Sequence, residues 1–173
     1  MGRLNILPVY TVDYYHENVH QGVNFINHFY AYITAGDSIT CVVLTGASSV
    51  HYDFVTNSNG PILLSFYEDS VIAATAGVVE LINNNRQSTN VALCKVYTGC
   101  TVTTANGTLL LEQFIVGSTG GGAGINVVPM QGGKSEIKNE FILKKASYYK
   151  LVIKNTANAA MIVDYDSNIY EED

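Results

Sequence analysis

At 173 residues, 47% of them hydrophobic and with a mean hydropathy of +0.15, the chain is long enough to bury a core in one domain and too apolar to stay disordered. A net charge of −6, a pI near 5.1 and nine scattered Lys and Arg argue against nucleic acid as a partner, since phosphate contacts need those residues clustered. Only 14% of residues are charged, while tyrosines number 12 and tryptophan is absent. That composition suits β surfaces, where a ring packs on its neighbour and its hydroxyl stays wet.

Residues 1–22 read as an irregular N-terminal arm containing Pro8, the tyrosines Tyr10, Tyr14 and Tyr15, and a polar His/Glu/Asn cluster. Within it, His16-Glu17-Asn18-Val19-His20 is a literal H-E-x-x-H. Zinc proteases carry that motif on a helix, so that both imidazoles face one metal and the Glu activates a water. Here Gly22 follows almost at once, Asn18 and Gln21 stand where a buried helix wants apolar residues, and a strand pattern begins at Val23. The expectation is a polar arm and no metal.

From Val23 the chain alternates. Val23, Phe25, Asn27, Phe29, Ala31 and Ile33 share one face; Asn24, Ile26, His28, Tyr30, Tyr32 and Thr34 share the other. A turn at 35–38 leads to an apolar run over 39–45, and a second turn leads to Val50, Tyr52 and Phe54 on a face opposite His51 and Asp53. Asn57-Ser58-Asn59-Gly60-Pro61 is a strong turn signal, after which Ile62, Leu64 and Phe66 oppose Leu63, Ser65 and Tyr67. Residues 71–81 are small and apolar and fit either a strand or a short helical turn. A polar loop spans 83–90, and strands are predicted at 91–97, 109–116, 136–143, 147–155 and 159–165. The acidic residues Asp164, Asp166, Glu171, Glu172 and Asp173 read as a solvated terminus.

Turn signals every 8–15 residues, without a long stripe of helical period, predict an all-β, single-domain antiparallel β-sandwich over residues 23–173, jelly-roll-like, with a closed barrel as the alternative. The glycine cluster Gly117-Ser118-Thr119-Gly120-Gly121-Gly122 opens a long loop ending near Gly133. Three cysteines form an odd set; Cys41 and Cys94 lie in β-like runs and read as small buried hydrophobes, as in a protein made in a reducing cytosol. Met1 to Ile6 lacks a signal-peptide core and no run is long enough to span a membrane.

Other motifs fail on context. Gly132-Gly133-Lys134-Ser135 resembles the end of a phosphate loop, but Val128 stands where its first glycine belongs and a strand follows where a helix is needed. No Ser lies in G-x-S-x-G, and Glu68-Asp69 reads as a solvated turn. No catalytic, cofactor-binding or metal-ligating set is assigned, and no enzyme activity is expected.

Several segments together resemble a group of small structural proteins of tailed bacteriophages, the head decoration or auxiliary capsid proteins. They are Asn83 to Asn90; Lys95-Val96-Tyr97 with Thr101-Val102; Gly107-Thr108-Leu109-Leu110; Asn139-Glu140-Phe141-Ile142-Leu143-Lys144; and Tyr149-Lys150-Leu151 with Lys154-Asn155-Thr156. His20-Gln21-Gly22-Val23-Asn24-Phe25 is similar to the segment that opens their first strand. Phe141 replaces a common Trp, and 166–171 interrupt the short aromatic ending. The resemblance implies a non-enzymatic virion component, synthesised in the host cytoplasm and placed on the capsid surface. It would associate as a homotrimer and stabilise the shell by binding the major capsid protein. Tyr10, Tyr14 and Tyr15 of the arm and Gly120, Gly121 and Gly122 of the loop are the candidate partner contacts; a frayed terminus and a plain surface loop are the alternatives. A second function is a carbohydrate- or receptor-binding module of a phage fibre.

Overall fold

The computed structural model describes residues 14–102, 106–116, 133–136 and 140–172. It opens with helix α1 (Tyr14–Gln21), which corrects the irregular arm expected there; the rest of that arm, 1–13, lies outside the described residues. Gly22, read from sequence as a helix breaker, is the residue that closes the helix. It takes φ +70°, its N–H donates to Val19 O at 3.0 Å, and Val23 N–H donates to Asn18 O at 3.1 Å, the paired bonds of a Schellman cap.

Two turns of helix are marginal alone. The polar segment after Ile82 supports this one by capping its carbonyls: Asn85 Nδ2 donates to His20 O (3.0 Å), Asn90 Nδ2 to Gln21 O (3.3 Å) and Asn83 Nδ2 to Gly22 O (2.8 Å). A Cβ on Gly22 would stand 2.2 Å from Ser88 Oγ, so the cap needs glycine for space as well as for its backbone.

The strands are β1 (Asn24–Ile33), β2 (Ser38–Leu44), β3 (Ser49–Ser58), β4 (Ile62–Glu68), β5 (Ile72–Ala74), β6 (Val78–Val79), β7 (Ile82–Asn83), β8 (Lys95–Thr98), β9 (Thr101–Val102), β10 (Thr108–Ile115), β11 (Gly133–Glu136), β12 (Phe141–Leu143), β13 (Tyr148–Asn155) and β14 (Met161–Glu172). They form two six-stranded antiparallel sheets packed face to face. The first runs β11-β3-β14-β1-β7, with β12 also paired to β3; the second runs β10-β4-β13-β2-β8-β6; β5 and β9 make a small ribbon. The all-β sandwich is as expected.

Three strands depart from the sequence reading. The one expected at 91–97 begins only at Lys95, because the Glu171 carboxylate accepts from Leu93 N–H (2.9 Å) and Cys94 N–H (2.6 Å), donors a ladder would have used. The strand at 136–143 is two, β11 and β12, both on β3. The one expected to stop at 165 runs to Glu172, pairing with β1 on one side and β3 on the other. The acidic tail is thus a central strand, since Ser167 and Ile169 continue the inward alternation.

Between the sheets lies an aromatic core. The Phe66 ring is 5.7 Å from Tyr52, 5.6 Å from Phe54, 5.1 Å from Phe141 and 5.8 Å from Tyr149. Burying each such ring contributes about 1.5–3 kcal/mol, and pairs at these separations add to that. The hydroxyls of Tyr52 and Tyr165, both fully buried, satisfy each other. Asn155 rivets the two layers: its Nδ2 on β13 donates to Ile33 O (3.0 Å) at the end of β1, to Thr34 O (3.1 Å) and to Ala159 O (2.8 Å). Its Oδ1 accepts from Ala157 N–H at 2.8 Å. Cys41 and Cys94 are buried free thiols, and burial pushes Cys41 up to about 12 and Cys94 higher still, so both are protonated packing groups.

Candidate functional site

The outer face of the first sheet carries exposed rings and carboxylates, and antiparallel register sets its rows. Because facing residues in a ladder point the same way, the pairs of β1, β14 and β3 can be read across the sheet. Tyr30 faces Asp164, which faces Asn57; His28 faces Asp166, which faces Val55; Ile26 faces Asn168, which faces Asp53; Asn24 faces Tyr170, which faces His51. Tyr32 and Ile162 close one end. Tyr30 is 77% exposed and Tyr32 71%, and Ile162 and Ile142 are also exposed.

Two clusters stand on this face. In one, His28 Nδ1 is 2.7 Å from Asp166 Oδ1 and His28 Nε2 is 3.4 Å from Asp164 Oδ1. The hydrogen bond to Asp166 raises the His28 pKa above 6.5, slight desolvation opposes it, and the charge of Asp164 adds to the rise. In the other, His51 Nδ1 is 3.0 Å from Glu140 Oε1 and Nε2 is 3.2 Å from Glu172 Oε2. Its ring stacks on Tyr170 at 4.2 Å, and the Tyr170 hydroxyl donates to Glu140. The rows continue onto β11, where Lys134 pairs with Asn57 and Glu136 with Val55; on β1 and β14 the face is acidic, aromatic and branched-aliphatic.

The H-E-x-x-H residues do lie on a helix, contrary to expectation. His16 Nε2 and His20 Nε2 are 2.9 Å apart, both rings are exposed, and Glu17 accepts from Gln21 Nε2 at 3.1 Å. Among the described residues no third His, Cys, Asp or Glu joins them. His20 also belongs to the helix and not to the opening of β1. Gly133-Lys134-Ser135 lies in β11, an extended strand and not a phosphate-binding turn. Glu68 and Asp69 are more than a solvated turn: Lys144 Nζ reaches both, at 2.7 and 3.3 Å, and Tyr149 donates to Glu68.

Of the candidate contacts, Tyr10 and Gly120, Gly121 and Gly122 lie outside the described residues, and Tyr14 and Tyr15 are described only as backbone of α1. The structure instead brings forward Tyr30, Tyr32, His28, Asp164 and Asp166. The period-two alternation had already put Tyr30 and Tyr32 beside His28 on one face; nothing in the sequence announced the carboxylates that would meet them. No helix of the described residues is long and apolar enough to cross a membrane. Comparison with family models, curated proteins and solved structures finds no match for the chain.

Proposed function

We propose that this protein is a non-enzymatic structural component of a tailed-phage virion that binds the major capsid protein and strengthens the shell. The observation that carries the reading is the open outer face of β1 and β14, where Tyr30, Tyr32 and Ile162 lie unshielded beside carboxylates. Exposed aromatics rimmed by charge are the usual makings of a protein interface. The segments similar to phage head proteins give the partner its class. Association as a trimer, as that similarity implies, would present three copies of the face at once, and a capsid lattice repeats weak contacts many times.

Quantitative mass spectrometry of purified virions tests it: the protein should occur in a fixed ratio to the major capsid protein set by the lattice. The double variant Tyr30→Ser/Tyr32→Ser should fold normally and bind depleted capsids at least about tenfold more weakly, the loss expected from two interface rings. Absence from particles sinks the reading. The fibre-module alternative draws on the same tyrosines, since rings stack on sugars and Asp164 and Asn57 could bond hydroxyls. Binding to a glycan array, lost in that double variant and with no affinity for capsids, would favour it.

A further inference from the structure

We propose that His28, Asp164 and Asp166 form a binding site for a divalent first-row transition-metal ion on the outer face of the first sheet. Asp164 and Asp166 are two apart on β14 and therefore share a face, and His28 on β1 lies directly opposite Asp166 in the ladder. One imidazole nitrogen and two carboxylate oxygens lie within 4.8 Å of one another. A zinc ion about 2.1 Å from each donor draws such atoms to roughly 3.4 Å apart, a small closure for half-exposed side chains.

Two further features serve the site. Asn57 Nδ2 reaches Asp164 Oδ2 at 3.5 Å, which leaves Oδ1 turned to His28. Asp53, His28 and Asp166 line one hollow of about 240 Å³, beside Asp164, and the Oδ1 of Asp53 is buried without a hydrogen-bond partner. A water on the metal would supply the donor that this oxygen lacks. The imidazole selects for transition ions over calcium and magnesium, which prefer all-oxygen shells. With three protein ligands, at least one position stays open to water or to a group from a bound partner.

Titration calorimetry with zinc chloride tests the proposal, using the whole protein, His28→Asn, Asp166→Asn, and His16→Asn/His20→Asn as the comparison, because the helix pair is the other place where imidazoles converge. Wild type should bind zinc, and His28→Asn and Asp166→Asn should each weaken that binding at least about tenfold or lower the stoichiometry by one ion. The helix variant should retain it, and calcium at the same concentration should give no comparable heat. In wild type, the ring proton resonances of His28 should shift on adding zinc, a readout that survives any folding defect in a variant. Unchanged His28 resonances, no zinc binding by wild type, or binding kept in His28→Asn and lost in the helix variant would each overturn the assignment.

Discussion

On the first sheet, Tyr30 and Tyr32 stand open at outward positions of β1; on the second, Val42 and Lys150, at outward positions of β2 and β13, are 0% and 2% exposed. Both sheets obey the same alternation, so a strand's own pattern does not decide which outward residues see water. Their cross-strand neighbours do. Val42 lies in a row that reads Tyr67, Lys150, Val42, Tyr97, Val78 across five strands, so long side chains flank it on both sides. Lys150 is closed in further: its Nζ lies 4.6 Å from the centre of the Tyr67 ring and donates to Asn106 Oδ1 at 2.5 Å. Tyr30 is flanked by Asp164, whose short side chain cannot cover a ring.

The sharpest way to break this comparison is to place one charge on each face. Val42→Asp puts a carboxylate at a fully buried position opposite Lys150, whose Nζ is already held by Tyr67 and Asn106, and should cost at least about 3 kcal/mol, enough to unfold a marginal domain. Ile162→Asp, on the open face, should change stability by no more than about 0.5 kcal/mol. Urea denaturation of both variants checks the pair; equal losses would show that the first face is covered too.

Lys150 gives the next effect. Burial lowers its pKa below 10.5, so in alkaline solution the unfolded chain holds a proton that the folded chain has shed. Stability contributed by this residue therefore rises as pH climbs through the window from the lowered value to 10.5. Lys150→Met keeps the stem and removes the charge. At pH 7 it should be neutral or stabilising by roughly 0–2 kcal/mol. Any such advantage over wild type should shrink as pH approaches 10.5, measured as the difference between the two denaturation curves at each pH. A difference that stays constant over that window would show that Lys150 is solvated.

Alternation along β1 was legible in the sequence because period two is a local property, and Phe25, Ile33, Tyr52, Phe54, Leu64 and Phe66 face inward as read. Two errors share a cause. Gly22 ends a helix or breaks one depending on what stands before it, and 166–172 extends β14 or frays depending on which strands flank it. In both cases the deciding atoms come from distant chain: the asparagines after Ile82, and the ladders of β1 and β3. The candidate metal ligands were hidden for the same reason, since His28 and Asp166 are 138 residues apart and meet only through register.

The smallest effect concerns a closed spot on the open face. Asp53 points outward from β3, yet burial raises its carboxyl above the usual 3.8, against a backbone hydrogen bond from Phe54, and the charge of Glu140 adds to the rise. The folded chain thus holds this proton to higher pH than the unfolded chain does. Stability falls as pH rises from 3.8 to the folded value, and the loss persists at every higher pH. Asp53→Asn removes the titration and should gain up to about 0.5 kcal/mol at pH 7, with no gain at pH 3, where wild type is protonated in both states. Denaturation in the presence of a chelator isolates this effect from any bound ion. If the gain were the same at both pH values, it would come from packing or hydrogen bonding and not from charge, and Asp53 would be as open to water as Tyr30 two rows away.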